Sequence, residues 1–251
     1  MLPDYFEFSL PTRVIYGIGM IDQLSDVVAH YGPRRALLVT DAMLVQAGLA
    51  ERVKTGFAPT AIDLVAVFDQ TPPNSTIKTV EDCAALGREC GCDLIIGLGG
   101  GSVLDTAKVA NLLMVKGGRV QEHMGAYLLG QTPLLPLFLI PTTAGTGSEV
   151  TKVAVIADPD HDVKLPFAET QFLPDLAILD PELTRSLPPK LTAMTGMDAL
   201  THAIEAYVDK EWSPAADGLA LQAIRLIRDH LLLACAQPDN LPARGAMLTA
   251  S

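Results

Sequence analysis

The 251-residue sequence is poor in positive charge, because 18 Lys and Arg stand against 29 Asp and Glu, for a formal net charge of −11. It shows no basic patch, which argues against nucleic acid or an anionic membrane as partner. No stretch reaches the ~18 uninterrupted apolar residues of a membrane helix. The first residues lack the basic and apolar segments of a secretion signal. We therefore expect a cytoplasmic protein with no nucleic-acid or membrane partner.

Cysteine is also scarce, and the four present do not form a disulfide framework. Cys90 and Cys92 resemble half of a zinc site, but no second pair follows, so reduced and inert thiols are expected. Hydrophobic residues make up 49% of the chain and charged residues 19%, which is a globular composition and not a disordered one.

Short apolar runs alternate with helical patterns along the first two thirds of the chain. This alternation predicts an α/β fold with a parallel sheet covered on both faces. The predicted strands are 35–40, 62–68, 94–98 and 137–140, with later candidates at 153–157 and 177–179 on either side of a polar loop, and the predicted helices between them include 21–30, 76–90 and 102–115.

The pattern becomes helical after "DPELTRSLPPK", with helices predicted over 191–207 and 213–236. Since Pro188 and Pro189 interrupt a regular element, we predict a domain boundary near residue 185, which gives domains 1–185 and 186–251. The stretch 241–251 starts as a helix and stops without a capping glycine or polar tail. The sequence is therefore expected to be cut short.

"GLGGGSVLDTAK" at 97–108 follows a predicted strand and opens a helix. Glycines allow close approach of a ligand, and a helix N-terminus favours an anion, so this junction suits a phosphate. Ser102 either caps the helix or donates its hydroxyl to the anion. The usual G-x-G-x-x-G fingerprint is missing because Ser102 occupies its last position, and the G-K-[ST] ending of a P-loop is also missing. A tight structural turn is the alternative.

Two further features lie at predicted strand ends. Asp41 ends the first strong strand, where an acid binds the ribose hydroxyls of an adenosine or simply caps the next helix. The loop "PTTAGTGSEVT" at 141–151 is rich in Thr, Ser and Gly, which suits contacts to a second phosphate or ribose. Because parallel sheets bind ligands at the carboxyl ends of their strands, a nucleotide site is the favoured interpretation.

Asp198 and His202 stand four residues apart in "GMDALTHAIEAY", a segment with a helical pattern. Positions i and i+4 share one helix face, so the carboxylate and the imidazole are able to bind one cation together. Taken alone, a local ion pair is the more common explanation of such a pair.

Together, "GGGSVLDTAK", "PTTAGTGSEVT" and "GMDALTHAIEAY" resemble, in their order and spacing, the iron-containing (group III) alcohol dehydrogenases. "TRVIYGIG" and "DPELTRSLPPK" are similar to that family as well, so the resemblance covers essentially the whole chain. It implies a dinucleotide-binding N-terminal α/β domain followed by the start of an all-helical metal-binding domain. It also implies a homo-oligomer, with a dimer as the expectation.

The resemblance assigns roles to individual residues. Asp198 and His202 correspond to the first two of four metal ligands, the other two being histidines of later helices in the family. We therefore expect these 251 residues alone to be inactive. The implied cofactor contacts are Asp41 on the adenosine ribose, where it disfavours NADP, then Asn74, then Gly100, Gly101 and Ser102 around the pyrophosphate, then Thr142, Thr143 and Thr146 toward the nicotinamide side, and Lys164.

The implied reaction is hydride transfer between NAD(H) and a small alcohol or aldehyde, with Fe²⁺ as the Lewis acid. Carboxylate and imidazole ligands also suit Zn²⁺. A glycerol dehydrogenase relative is disfavoured because a lysine usually stands there in place of Ser102. A metal-independent maleylacetate reductase relative is disfavoured by Asp198 and His202. A catalytically incomplete nucleotide-binding module is the alternative from another functional class.

Overall fold

The computed structural model describes residues 5–130, 132–210 and 213–251. Within these ranges, two sheets and a set of helices form the molecule, and no helix is long and apolar enough to cross a membrane. The strands are β1 Arg13–Tyr16, β2 Arg34–Val39, β3 Ile62–Phe68, β4 Leu94–Gly99, β5 Gly125–Ala126, β6 Leu137–Pro141, β7 Val153–Asp158, β8 Val163–Ala168 and β9 Leu176–Leu179.

The larger sheet has six strands in the order β1-β9-β6-β4-β2-β3, and all its pairs are parallel. A smaller sheet has the order β5-β8-β7, in which β7 and β8 are antiparallel. The α-helices are α1 Leu24–Val28, α2 Ala42–Gln46, α3 Leu49–Phe57, α4 Ile77–Glu89, α5 Gly101–Lys116, α6 Pro189–Val208, α7 Pro214–Ala236 and α8 Leu241–Ala250.

Two hydrophobic clusters cover the two faces of the larger sheet. One includes Leu104 and Ala107 of α5 with Leu139 of β6, and the other includes Val53 and Phe57 of α3. Both faces of the central strands are therefore buried, which explains why β4 and β6 consist of uninterrupted apolar residues. The predicted α/β class with a parallel sheet is confirmed.

The predicted helix over 21–30 is wrong as a single element. The segment instead contains two 3₁₀ turns, Met20–Gln23 and Ala29–Tyr31, on either side of the short α1. The carboxylate of Asp180 accepts the N–H groups of Gly19 at 3.0 Å and Ile21 at 3.1 Å. This contact comes from a residue far along the chain, so the helical period of the segment does not reveal it.

The candidate strands 153–157 and 177–179 both exist, but they belong to different sheets. The second is β9 of the larger sheet, whereas the first is β7 of the smaller one. The polar loop predicted between them contains a strand that the sequence interpretation missed, β8. The exposed Lys164 and Pro166 interrupt its apolar pattern, which hides the strand from a search for continuous apolar runs.

Beyond Thr184 the described chain is helical, as predicted, and α6, α7 and α8 share a small core that includes Ile227, Ala243 and Met247. This helical unit meets the α/β unit where the loop after β6 approaches α6 at Thr195. The exact boundary between domains 1–185 and 186–251 stays a prediction.

Candidate active site

The segments that follow β2, β4 and β6 lie side by side at the carboxyl edge of the larger sheet. These strands are direct neighbours, and all three run in one direction. Asp41, Gly100 and Thr142 follow them, so the three predicted cofactor segments converge at this edge. Such an edge is where open parallel sheets bind nucleotides.

The glycine loop leads from β4 straight into the 16-residue helix α5. Gly100 occupies the N-cap position and offers no side-chain cap, so the first N–H groups of α5 point out of the helix toward the loop. The capping role considered for Ser102 is wrong, because this residue lies inside the helix. Its hydroxyl instead accepts the backbone N–H of Asn74 at 3.1 Å and ties the segment after β3 to α5.

The loop after β6 packs directly against the glycine loop. The N–H of Thr142 donates to the carbonyl of Gly99 at 3.0 Å. A Cβ atom on Gly101 would come within 2.8 Å of the Thr146 side chain, and one on Gly100 within 3.2 Å of Thr143. The glycines therefore serve the contact between the two loops as well as any contact with a ligand.

Asp41 lies at the same edge of the sheet but acts as a helix cap. Its Oδ1 accepts the N–H of Leu44 at 2.9 Å and caps α2. This is the alternative that the sequence interpretation weighed against ribose binding. Capping does not exclude ribose binding, since a carboxylate has two acceptor oxygens.

A cavity of about 690 Å³ opens between the α/β unit and α6. Four of the predicted cofactor residues do not line it, namely Asp41, Gly100, Thr142 and Thr143. The predicted residues that do line it come from both units of the chain, and they are Asn74, Gly101, Ser102, Thr146, Lys164, Asp198 and His202.

Asp198 and His202 face this cavity from one side of α6. The distance from Oδ1 of Asp198 to Nε2 of His202 is 3.8 Å, and both side chains are about half exposed. Two ligands that bind one ion at ~2.0–2.2 Å lie at most about 4.3 Å apart, so this pair fits a single divalent cation. The described residues contain no group of three or more His, Cys, Asp or Glu side chains that could hold a metal. The pair therefore supplies only part of a metal shell.

Asp105 is a cavity-lining residue that the sequence interpretation missed. Its Oδ1 accepts the hydroxyl of Ser148 at 2.8 Å, and its Oδ2 accepts the N–H of Val155 at 2.9 Å. Burial raises the pKa of this carboxyl, against the opposing effect of Lys108. Its position three residues after Ser102 was a usable signal, because i and i+3 share a helix face.

Two buried ionisable groups lie behind the cavity wall. Lys108 is fully buried, and burial lowers its pKa to about 8, although Asp105 and Glu149 oppose that shift. Glu149 is also buried, and burial raises its pKa to about 7. Neither residue lines the cavity, although their neighbours Asp105 and Ser148 do.

Comparison with known families identifies two matching regions. Residues 11–181 match the family described as iron-containing alcohol dehydrogenase. Residues 192–251 match the C-terminal region of the Fe-containing alcohol dehydrogenase family.

Individual relatives agree with this result. The chain is 39% identical over 240 residues to the NAD-dependent methanol dehydrogenase of Bacillus methanolicus, a match that covers 96% of this chain and 62% of the relative. It is 43% identical over 240 residues to the long-chain-alcohol dehydrogenase 1 of Geobacillus thermodenitrificans (strain NG80-2). This match covers 94% of this chain and 59% of the relative. The chain thus spans about three fifths of the length of these curated relatives.

Solved structures show the same fold. A 1,3-propanediol oxidoreductase superposes with a TM-score of 0.93 at 38% identity, over 98% of this chain and 64% of the other. The sulfoacetaldehyde reductase of Bifidobacterium kashiwanohense in complex with NAD⁺ superposes with a TM-score of 0.90 at 33% identity. This match covers 99% of this chain and 65% of the other. With its Rossmann-like sheet, its paired loops and these matches along its length, the chain belongs to the iron-containing alcohol dehydrogenase family.

Proposed function

We propose that this chain forms the NAD(H) site and half of the metal site of a dehydrogenase that interconverts small alcohols and aldehydes. The observation that carries the proposal is one cavity lined both by Gly101 and Ser102 of the glycine loop and by Asp198 and His202 of α6. A nucleotide held by the loop would share this cavity with the pair on α6. The family membership and the printed names of the relatives support the same class of reaction.

The chain's own residues have distinct tasks in this proposal. The N-terminus of α5 receives the pyrophosphate, because its N–H groups and partial positive charge favour an anion. Lys164 adds a positive charge to the cavity wall. When bound, the nicotinamide supplies the hydride chemistry and the divalent cation, for which we propose iron, supplies Lewis-acid polarisation of the substrate oxygen.

Asp198 and His202 hold the cation. Two protein ligands bind a catalytic cation weakly, and catalytic sites usually have at least three. We therefore propose that these 251 residues bind NADH but do not oxidise alcohols. The incomplete nucleotide-binding module, our alternative from the sequence, is thus the expected state of this chain in isolation.

Two measurements on the purified chain test this proposal. NADH fluorescence titration should detect binding, whereas assays of alcohol oxidation and aldehyde reduction under anaerobic Fe²⁺ should detect no turnover. Absence of NADH binding would contradict the nucleotide site. Turnover would contradict the proposed inactivity and would mean that other groups complete the metal shell.

The metal pair needs its own test. His202→Ala should weaken Fe²⁺ and Zn²⁺ binding measured by anaerobic equilibrium dialysis with elemental analysis. His161→Ala is the matched control, since His161 pairs with Asp158 at 2.8 Å at the turn between β7 and β8 and does not line the cavity. Equal cation retention in both variants would refute the ligand assignment, and competition between the two metals would rank iron against zinc.

Two expectations from the sequence stay predictions, the homodimer and the cytoplasmic location. Light scattering coupled to size-exclusion chromatography tests the first. An elution with the mass of one chain at micromolar concentration would contradict it. Fractionation of the source cells tests the second.

A further inference from the structure

The strand β7 has one edge that no strand of its sheet covers. Its Val153 and Val155 end faces α5, whereas further along the N–H of Ala157 donates to the carbonyl of Ser75 at 2.8 Å. In the smaller sheet β7 is an outer strand, with β8 as its only partner strand among the described residues. An outer strand leaves a row of backbone N–H and C=O groups without sheet partners. On β7 this row includes groups of Val153 and Val155, whose side chains line the cavity.

Side chains of α5 bond to this edge and to Thr151, which precedes the strand. The ammonium of Lys108 donates to the carbonyls of Thr151 and Val153, both at 2.9 Å. The carboxylate of Asp105 accepts the N–H of Val155 at 2.9 Å. An ammonium only donates and an ionised carboxylate only accepts, so each group stands opposite the backbone group that it complements.

We infer that Lys108 is a positioning residue that anchors the edge of β7 to α5. It thereby sets the distance between the N-terminus of α5 and the part of the cavity wall formed by Val153 and Val155, here called the valine wall. This inference rests on the proposed function, in which that wall contacts the cofactor. Lys108 is fully buried and does not line the cavity, so it acts on a ligand only through β7.

Two nearby acidic residues help to explain why a lysine is tolerated at this buried position. Asp105 on the same helix and Glu149 in the loop after β6 both oppose the effect of burial on its pKa. Loss of the ammonium would remove the donor from the partly buried carbonyl groups of Thr151 and Val153, and a methionine side chain at position 108 could not replace these bonds. The edge of β7 should then separate from α5.

The inference also predicts which half of the cofactor is affected. The valine wall lies in the cavity with Lys164, Asp198 and His202, whereas Asp41, the residue assigned to the adenosine ribose, does not line that cavity. Displacement of β7 should therefore weaken contacts to the nicotinamide half and spare contacts to the adenosine half. NADH and ADP are probes that separate these two halves.

The experiment compares Lys108→Met with Lys116→Met, a control at an exposed position of the same helix. We expect Lys108→Met to raise the Kd for NADH by about tenfold and the Kd for ADP by less than about twofold. Hydrogen exchange of the amides in 151–157 should accelerate in Lys108→Met alone. The control should match the unchanged chain in all three measurements.

Several outcomes would overturn the inference. An unchanged Kd for NADH, or an equal loss for NADH and ADP, would show that Lys108 does not position β7 for the nicotinamide half. If Lys108→Met does not fold by circular dichroism, Lys108→Gln, which keeps an N–H donor, replaces it. Global unfolding of both variants would reduce Lys108 to a residue of the core. If the unchanged chain binds neither nucleotide, the proposed function fails, and exchange at 151–157 still decides the role of Lys108.

Discussion

At the scale of single residues, Glu149 makes stability depend on pH. Burial raises its pKa to about 7 from an ordinary 4.5, so the folded chain holds this proton to higher pH than the unfolded chain does. By linkage, the free energy of unfolding falls as pH rises from about 4.5 to about 7.

Glu149→Gln should remove this dependence, because a neutral amide replaces the buried acid. We expect the variant to melt close to the unchanged chain at pH 5 and above the unchanged chain at pH 8. Each kcal/mol of added unfolding free energy raises the melting temperature of a chain of this size by about 2–4 °C. Scanning fluorimetry between pH 5 and 8 measures this difference. Glu89→Gln, at an exposed position, is the control, and parallel pH profiles for all three proteins would contradict the prediction.

Asp41 tests cofactor preference by charge alone. Asp41→Asn keeps an oxygen that can cap α2, but it removes the negative charge that would repel the 2′-phosphate of NADP. We expect the ratio of NADPH to NADH affinity to rise by about tenfold, because like charges in contact are unfavourable. Fluorescence titration with both cofactors measures this ratio, with Asp63→Asn at an exposed position of β3 as the control. An unchanged ratio would leave Asp41 with its capping role only.

At the scale of elements, the contact between the loop after β6 and α6 holds Asp198 and His202 beside the glycine loop. A Cβ atom on Gly145 would lie 2.8 Å from the Cβ and 2.9 Å from the carbonyl oxygen of Thr195. Thr195 stands one turn before Asp198 on α6, so a shift at this contact moves the pair.

Gly145→Ala should therefore displace α6 and weaken cation binding, while ADP binding at the glycine loop persists. Dialysis with Zn²⁺ and titration with ADP measure the two effects separately. Gly218→Ala is the control, because nothing lies within 4 Å of the added atom and alanine favours the helix. If Gly145→Ala kept full cation affinity, the loop contact would not position the pair.

The elements differ in how far the sequence predicts them. Buried parallel strands such as β4 consist of continuous apolar residues, and the run over 94–98 therefore predicts the strand well. The strand β8 has an exposed face and a proline, and the start of the first helical segment donates the N–H groups of Gly19 and Ile21 to Asp180. Polar residues hide β8 although its partner β7 directly precedes it in sequence, whereas the contact of Asp180 with the first segment depends on a remote partner.

At the scale of the whole molecule, the cavity lies between the α/β unit and the helical unit, so a bound cofactor should stabilise both. At an NADH concentration of 100 times Kd, binding to the folded state alone contributes about 2.7 kcal/mol, or roughly 5–10 °C in melting temperature. Differential scanning calorimetry measures this shift. NADPH at equal concentration should give a smaller one, and no shift with NADH would contradict the proposed site.

The sequence by itself determined the α/β class, the two loops at strand ends, the helical character after residue 185 and the Asp198–His202 pair, because each depends on local periodicity or on a short motif. Only the tertiary structure decided that these features share one cavity, that Asp105 lines it and that Lys108 anchors β7 behind it. The physical reason is that a buried charge or an uncovered strand edge finds its partner through packing between segments that are distant in sequence. The period of a helix or strand, in contrast, is a property of the segment alone.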